Sequence, residues 1–238
     1  MERLDKIVSI GAGASRSDAR KLILRGKVQV NGGLVRDIAF KVDPNKDEIC
    51  LSGEKIFYKK HIYLIMNKPK GVLTATEDKK KQTVIDLIPA ELFRKDLFPV
   101  GRLDKDTTGM LIITNDGDFA HQLLSPNKKV PKKYLVQLDG EVKPEIVEKF
   151  REGLTLADGT VLLSATLEIL SDTTTAIVTI TEGKYHQIKR MFGLFDLGVN
   201  ELKRISFAGL NLPESLSEGE VRELTVNELE CINNAKKT

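Results

Sequence analysis

The densest run of polar side chains in this 238-residue sequence is Gly101-Arg102-Leu103-Asp104-Lys105-Asp106-Thr107-Thr108-Gly109-Met110, which leads into the apolar Leu111-Ile112-Ile113. A carboxylate between two cations, in a loop bounded by glycines and feeding a core strand, can be held rigidly. Neighbouring cations favour its ionised form, which a nucleophile or general base requires. The same residues also suit a solvated turn with local ion pairs. A second polar cluster, at residues 182–192, contains His186, Lys189 and Arg190. Histidine is the side chain most often used as a general base, but a loop-fixing role suits His186 better. Lys189 and Arg190 also fit as ordinary exposed helix cations. His61 and His121 are isolated and receive no role. Three histidines and two distant cysteines, Cys50 and Cys231, do not form a structural zinc site.

Several elements must position these residues. Apolar alternation places strands at 62–66, 110–114, 133–138, 165–170, 175–181 and 202–207. Helices are expected at 83–88, 118–124, 144–152, 187–195 and 226–234, that at 144–152 opened by Pro144 and closed by Gly153. Hairpins outnumber regular strand–helix alternation. The pattern therefore favours an α+β fold with a mixed, largely antiparallel sheet over a doubly wound one.

Ahead of this body lies a basic head. Residues 1–60 hold 13 Lys and Arg against 8 Asp and Glu, and the remainder is slightly acidic. Such a head suits an anionic partner, nucleic acid above all, or simply a solvated charged face. Ser15-Arg16-Ser17-Asp18 reads as a helix-capping box, and Gly26 as the helix stop. Arg16 and Arg20 share one face of that helix. Lys27-Val28-Gln29-Val30 reads as a strand, Asn31-Gly32 as a hairpin turn, and 48–51 as the returning strand. A turn at Ser52-Gly53 divides the chain into expected domains at 1–58 and 59–238. No signal peptide is visible, and no apolar run approaches the ~18 residues of a membrane span. With two separated cysteines, a reduced cytoplasmic protein is expected.

Residues 2–50 resemble the S4 RNA-binding domain, through Arg3-Leu4-Asp5-Lys6, Ser15-Arg16-Ser17-Asp18-Ala19-Arg20 and Gly26-Lys27-Val28-Gln29-Val30-Asn31-Gly32. The run around Asp104 resembles the catalytic motif of the RNA pseudouridine synthases, in the RsuA branch that contains the small-subunit ribosomal RNA enzyme. Asn67-Lys68-Pro69-Lys70-Gly71, Lys133-Tyr134-Leu135-Val136 and Glu182-Gly183-Lys184-Tyr185-His186-Gln187-Ile188-Lys189-Arg190-Met191-Phe192 match further motifs of that family, in order.

The resemblance implies a uridine-to-pseudouridine isomerase that needs no cofactor and no metal. It implies Asp104 as the essential carboxylate, Tyr134 as the ring that stacks on the flipped base, and Lys189 as the cation paired with the catalytic carboxylate. Ile188 would line the uridine pocket, and Arg102 would hold the opened backbone. Arg3, Arg16, Arg20, Lys21, Arg25 and Lys27 would contact RNA. Lys128-Lys129 and Lys132-Lys133 are placed to touch phosphates or to solvate a loop. The expected partner is 16S ribosomal RNA or a small-subunit assembly intermediate, bound by a monomer with no membrane involvement. A sibling acting on 23S ribosomal RNA and a non-catalytic RNA-binding assembly factor are the competing readings.

Overall fold

The computed structural model describes residues 1–235 and contains two compact units, Met1–His61 and Ile62–Thr238. The first unit begins with β1 (Glu2–Arg3), α1 (Leu4–Gly11), α2 (Arg16–Leu24), β2 (Val28–Val30) and β3 (Gly33–Leu34). It ends with β4 (Lys41–Val42), β5 (Ile49–Leu51) and β6 (Glu54–Lys55). Leu4, Ile7 and Val8 recur at helical spacing on α1 and pack with Ala19, Ile23, Val28, Val42 and Ile49 into one small core. The Ser15 hydroxyl caps α2 by accepting from the Asp18 amide at 3.1 Å. Asn31 and Gly32 both take positive φ at the β2–β3 hairpin. Ile56 and Tyr58 pack against this core, so the unit runs a few residues past the turn at Ser52-Gly53.

The second unit is built on one mixed sheet. Its elements are β7 (Tyr63–Lys68), β8 (Phe98–Pro99), β9 (Thr108–Thr114), α3 (Gly117–Leu124), β10 (Lys132–Leu138), α4 (Glu145–Glu152) and β11 (Thr166–Ile169). They continue with β12 (Thr175–Ile180), α5 (Gln187–Gly193), β13 (Val199–Phe207), β14 (Leu210–Asn211), β15 (Val221–Glu223) and α6 (Val226–Ala235). The strand order is β11-β12-β10-β13-β9-β7-β15, with β14 beside β13 and β8 beside β9. Every pairing is antiparallel except β9 with β13. Alternate residues of β9 serve opposite faces. Leu111 and Ile113 join one apolar cluster, and Met110 and Ile112 join another. This central strand is therefore buried along its whole length. None of the described helices is long and apolar enough to cross a membrane.

The helix expected at 83–88 is a pair of tight turns. The Val84 amide donates to the Leu73 carbonyl at 2.9 Å, and the Asp86 carboxylate accepts from both the Thr83 amide and the Thr83 hydroxyl. Those bonds tie the segment to residue 73 and occupy groups a helix would need. Helix α1 and the short edge strand β15 were not anticipated. Each is brief and lacks a strong start signal of its own.

The parallel joint between β9 and β13 requires a close backbone approach. Gly109 lies opposite Arg204 at φ 98°, and a Cβ there would collide with the Arg204 carbonyl oxygen and amide. Gly159 has a similar φ of 83° but open space around it. Gly109→Ala should therefore lower stability by at least ~2 kcal/mol, well beyond the cost of Gly159→Ala. Urea midpoints of the two variants measure this, and equal shifts would show that the close approach is absent.

Candidate active site

The loop between β8 and β9 hangs from its backbone. Thr74 Oγ1 accepts from the Leu103 amide (3.2 Å) and donates to the Leu103 carbonyl (2.8 Å). The Gly71 amide donates to the Lys105 carbonyl at 2.8 Å, and the Thr107 amide to the Asp104 carbonyl at 3.1 Å. Lys68, at the end of β7, is fully buried. Its Nζ donates to the carbonyls of Pro69 (3.1 Å), Lys105 (3.3 Å) and Thr107 (3.0 Å). Burial pushes its pKa down to about 8, against the pull of Asp106 and Asp104. Asp104 thus sits in a loop whose main chain is fixed on both sides of it.

This loop forms one wall of a cleft of about 950 Å³. Arg102, Asp104, Tyr134, His186, Ile188 and Arg204 all line it. Asp104 is partly exposed, with Oδ1 3.7 Å from His186 Nε2. The Tyr134 side chain comes from β10 and is buried within the cleft, as is Ile188 from the first turn of α5. His186 precedes α5 in the left-handed conformation, φ 47°, with its ring stacked on Tyr185 at 3.9 Å. The buried Gln187 accepts from the Lys184 amide and donates to Glu182, which fixes this turn. A carboxylate, an aromatic ring and apolar walls in one cleft suit covalent or general-base chemistry on a planar, uncharged group.

Lys189 departs from the expected pairing. Its Nζ bonds Asp106 Oδ2 at 2.5 Å rather than Asp104. Across the turn closed by the Asp104–Thr107 hydrogen bond, the second carboxylate meets Lys189 while the first lies near His186. The Lys189 hydrogen bond holds the Asp106 pKa below the usual carboxylate range. Lys68 and Thr74, which hold the loop, were not singled out from sequence; only the Lys68-Pro69 motif marked the region. Among the described residues, no three His, Cys, Asp or Glu side chains converge in a way that could hold a metal ion.

In the N-terminal unit the expected RNA-contacting arginines share a buried counter-charge. Asp5 is completely buried. Its carboxylate accepts from Arg3 Nε (3.0 Å), Arg16 Nη1 (2.8 Å) and Arg20 Nε (3.1 Å). The three guanidinium groups are half-exposed, fixed in place and partly neutralised. Lys21 is exposed and paired with Asp18. Arg25 and Lys27 are exposed and, among the described residues, in no ion pair.

Comparison with known proteins finds relatives that span both units. Residues 62–193 match the family model described as RNA pseudouridylate synthase, and residues 2–48 match the S4 domain. The chain is 38% identical over 233 residues to ribosomal small subunit pseudouridine synthase A of Vibrio cholerae, covering 97% of this chain and 99% of that one. It is 37% identical over 238 residues to ribosomal large subunit pseudouridine synthase B of Bacillus subtilis, covering 96% and 94%. A solved structure described as a pseudouridylate synthase superposes with a TM-score of 0.67 at 33% identity, covering 98% of this chain and all of that one.

The Asp5 cluster yields a prediction with a defined sign. Burial would raise the Asp5 pKa, but the Arg3 and Arg20 hydrogen bonds overcome it and hold it at about 2. A carboxylate depressed in the folded state contributes stability above its unfolded pKa near 4, and loses that contribution as pH falls through about 2. The contribution is about 2 kcal/mol at neutral pH. Asp5→Asn should remove at least that much from the N-terminal unit. Hydrogen exchange of the α1 and α2 amides at pH 7 reads it, and protection equal to wild type would refute the cluster's role.

Proposed function

The chain belongs to the RNA pseudouridylate synthase family, and from that premise we propose that it isomerises one uridine of small-subunit (16S) ribosomal RNA. The observation that carries the reading is a single cleft lined by Asp104, Tyr134 and Ile188 together. In the reaction the N1–C1′ bond breaks, the uracil turns, a C5–C1′ bond forms, the C5 proton leaves to solvent and N1 takes one up. A base within structured RNA must leave its stack to be reached. The Tyr134 ring offers the face on which it would rest, worth about 1–3 kcal/mol. Ile188 closes the apolar side of the pocket.

Asp104 is the group for the bond-breaking step. It serves by attack at C1′, by addition at C6 or by removal of the 2′ proton, and each route uses the ionised carboxylate. Lys189 acts on Asp104 through the loop, holding Asp106, and is a positioning residue in this reading. Arg102, exposed at the cleft mouth, would hold the opened backbone. The basic N-terminal unit docks on phosphates, with Arg25 and Lys27 supplying unshared charge beside the Asp5-bound arginines.

The small-subunit assignment is supported by the run Asp106-Thr107-Thr108 after Asp104 and by the sequence of residues 185–192. The similarity to the Bacillus subtilis large-subunit enzyme favours 23S ribosomal RNA as the second reading. Ribosomal RNA carrying tritium at uridine C5 separates the two. Wild type should release tritium from small-subunit RNA, and Asp104→Asn should be slower by at least ~10³-fold. Release from large-subunit RNA alone would transfer the substrate assignment. Release from neither RNA nor its ribonucleoprotein would overturn the proposed function.

A further inference from the structure

Beside Tyr134 the cleft holds two cations that the proposed chemistry does not use. Lys132 lies two residues before Tyr134 on β10, so their side chains leave the same face of the strand, about 7 Å apart. Arg204 is the cross-strand partner of Tyr134 on β13. There the register slips, with Lys133 opposite Ser206 and Tyr134 opposite Arg204, so Ile205 is an extra residue. The bulge gathers both cations over one ring: Arg204 Cζ is 4.8 Å and Lys132 Nζ 5.5 Å from the Phe207 centroid.

Neither cation has an ionic partner among the described residues. Lys132 Nζ donates to the Val130 carbonyl at 3.1 Å, and Arg204 Nε to the Met110 carbonyl at 2.7 Å. Arg204 is almost wholly buried, and its Nη2 is buried without any acceptor. Burial, and then Arg204, push the Lys132 pKa down to about 8, with only Glu182 pulling it back up. Two desolvated cations, one with an orphaned donor, are costly unless something anionic arrives. The uracil ring reaches the cleft uncharged. The anion the RNA brings with it is the phosphodiester, whose two free oxygens match a two-cation site.

We propose that Lys132 and Arg204 form a subsite in the cleft for one phosphodiester group next to the flipped uridine, setting the depth to which the RNA strand enters the cleft. The inference rests on the proposed function above. It makes Lys132 and Arg204 binding residues that hold the strand while Asp104 acts.

The test uses the full-length chain and a short RNA spanning the modified uridine, with single neutral methylphosphonate linkages walked through the positions flanking it. Lys132→Met keeps the apolar stem over Phe207 and removes the charge. Wild type should lose about tenfold in affinity at one linkage. Lys132→Met should bind the unmodified RNA about tenfold more weakly and lose nothing further at that linkage, while responding like wild type elsewhere. Arg204→Lys, which keeps a charge but removes the orphaned donor, should show the same insensitivity in part. The subsite is refuted if Lys132→Met tracks wild type at every linkage. It is equally refuted if its binding is normal and only its single-turnover rate falls, because the charge would then act on the uracil. Tritium release by wild type on the unmodified RNA reads the proposed function separately, so intact release with binding indifferent to Lys132 removes the subsite alone.

Discussion

The loop that carries Asp104 depends on a buried ammonium group. Lys68 gives up its hydration to place three N–H donors against the carbonyls of Pro69, Lys105 and Thr107. Such a burial is tolerable only when the charge is well solvated by fixed dipoles. Two of these dipoles belong to the backbone on either side of Asp106, and the third to Pro69 beside the lysine. Lys68 also pairs with Gly109 in the β7–β9 ladder, so the clamp is anchored in the most buried part of the sheet. The Thr74 hydroxyl completes the arrangement from the other side by holding both backbone groups of Leu103. The main chain on either side of Asp104 is held by these bonds and by the Thr107 amide, which donates to the Asp104 carbonyl.

What the sequence disclosed, and what it withheld, follows from the range of each interaction. Ser15, Asn31-Gly32 and the apolar run after Gly109 act on their near neighbours, so capping, turn and strand could be read directly. The segment at 83–88 carries a helix-like pattern, yet Leu73 captures the amide of Val84 and converts it to turns. Lys68 binding carbonyls nearly forty residues away leaves no local trace. The motif resemblance pointed to Asp104, Tyr134 and Ile188, and the structure brings all three into one cleft. It also implied that Lys189 faces the same carboxylate. One turn of backbone geometry hands Lys189 to Asp106 instead.

Charge shows the same limit. Summing cations over residues 1–60 describes a strongly basic head but counts Arg3, Arg16 and Arg20 as three free charges. The buried Asp5 binds all of them. The result is a smaller but better-ordered positive surface, since long side chains already immobilised give up less entropy on meeting a phosphate. Lys132 and Arg204 illustrate the converse. Sequence marks Lys132 only as one lysine of a basic run and Arg204 not at all; their convergence on one ring in the cleft, with no counter-ion among the described residues, is what sets the pair apart.

Gly109 sits within the motif that carries Asp104, yet it serves the sheet rather than the chemistry. A mutational scan scored on modified RNA would find the two positions about equally intolerant and would mark both as parts of the active centre. Scored on cellular abundance, the same library would part them. Variants at Gly109 would vanish with the folded protein, and variants at Asp104, the carboxylate proposed to act, would accumulate as intact, silent molecules. Within a single short motif, intolerance to change can thus record two unrelated demands, one for a backbone that lets two strands meet and one for the carboxylate proposed to react.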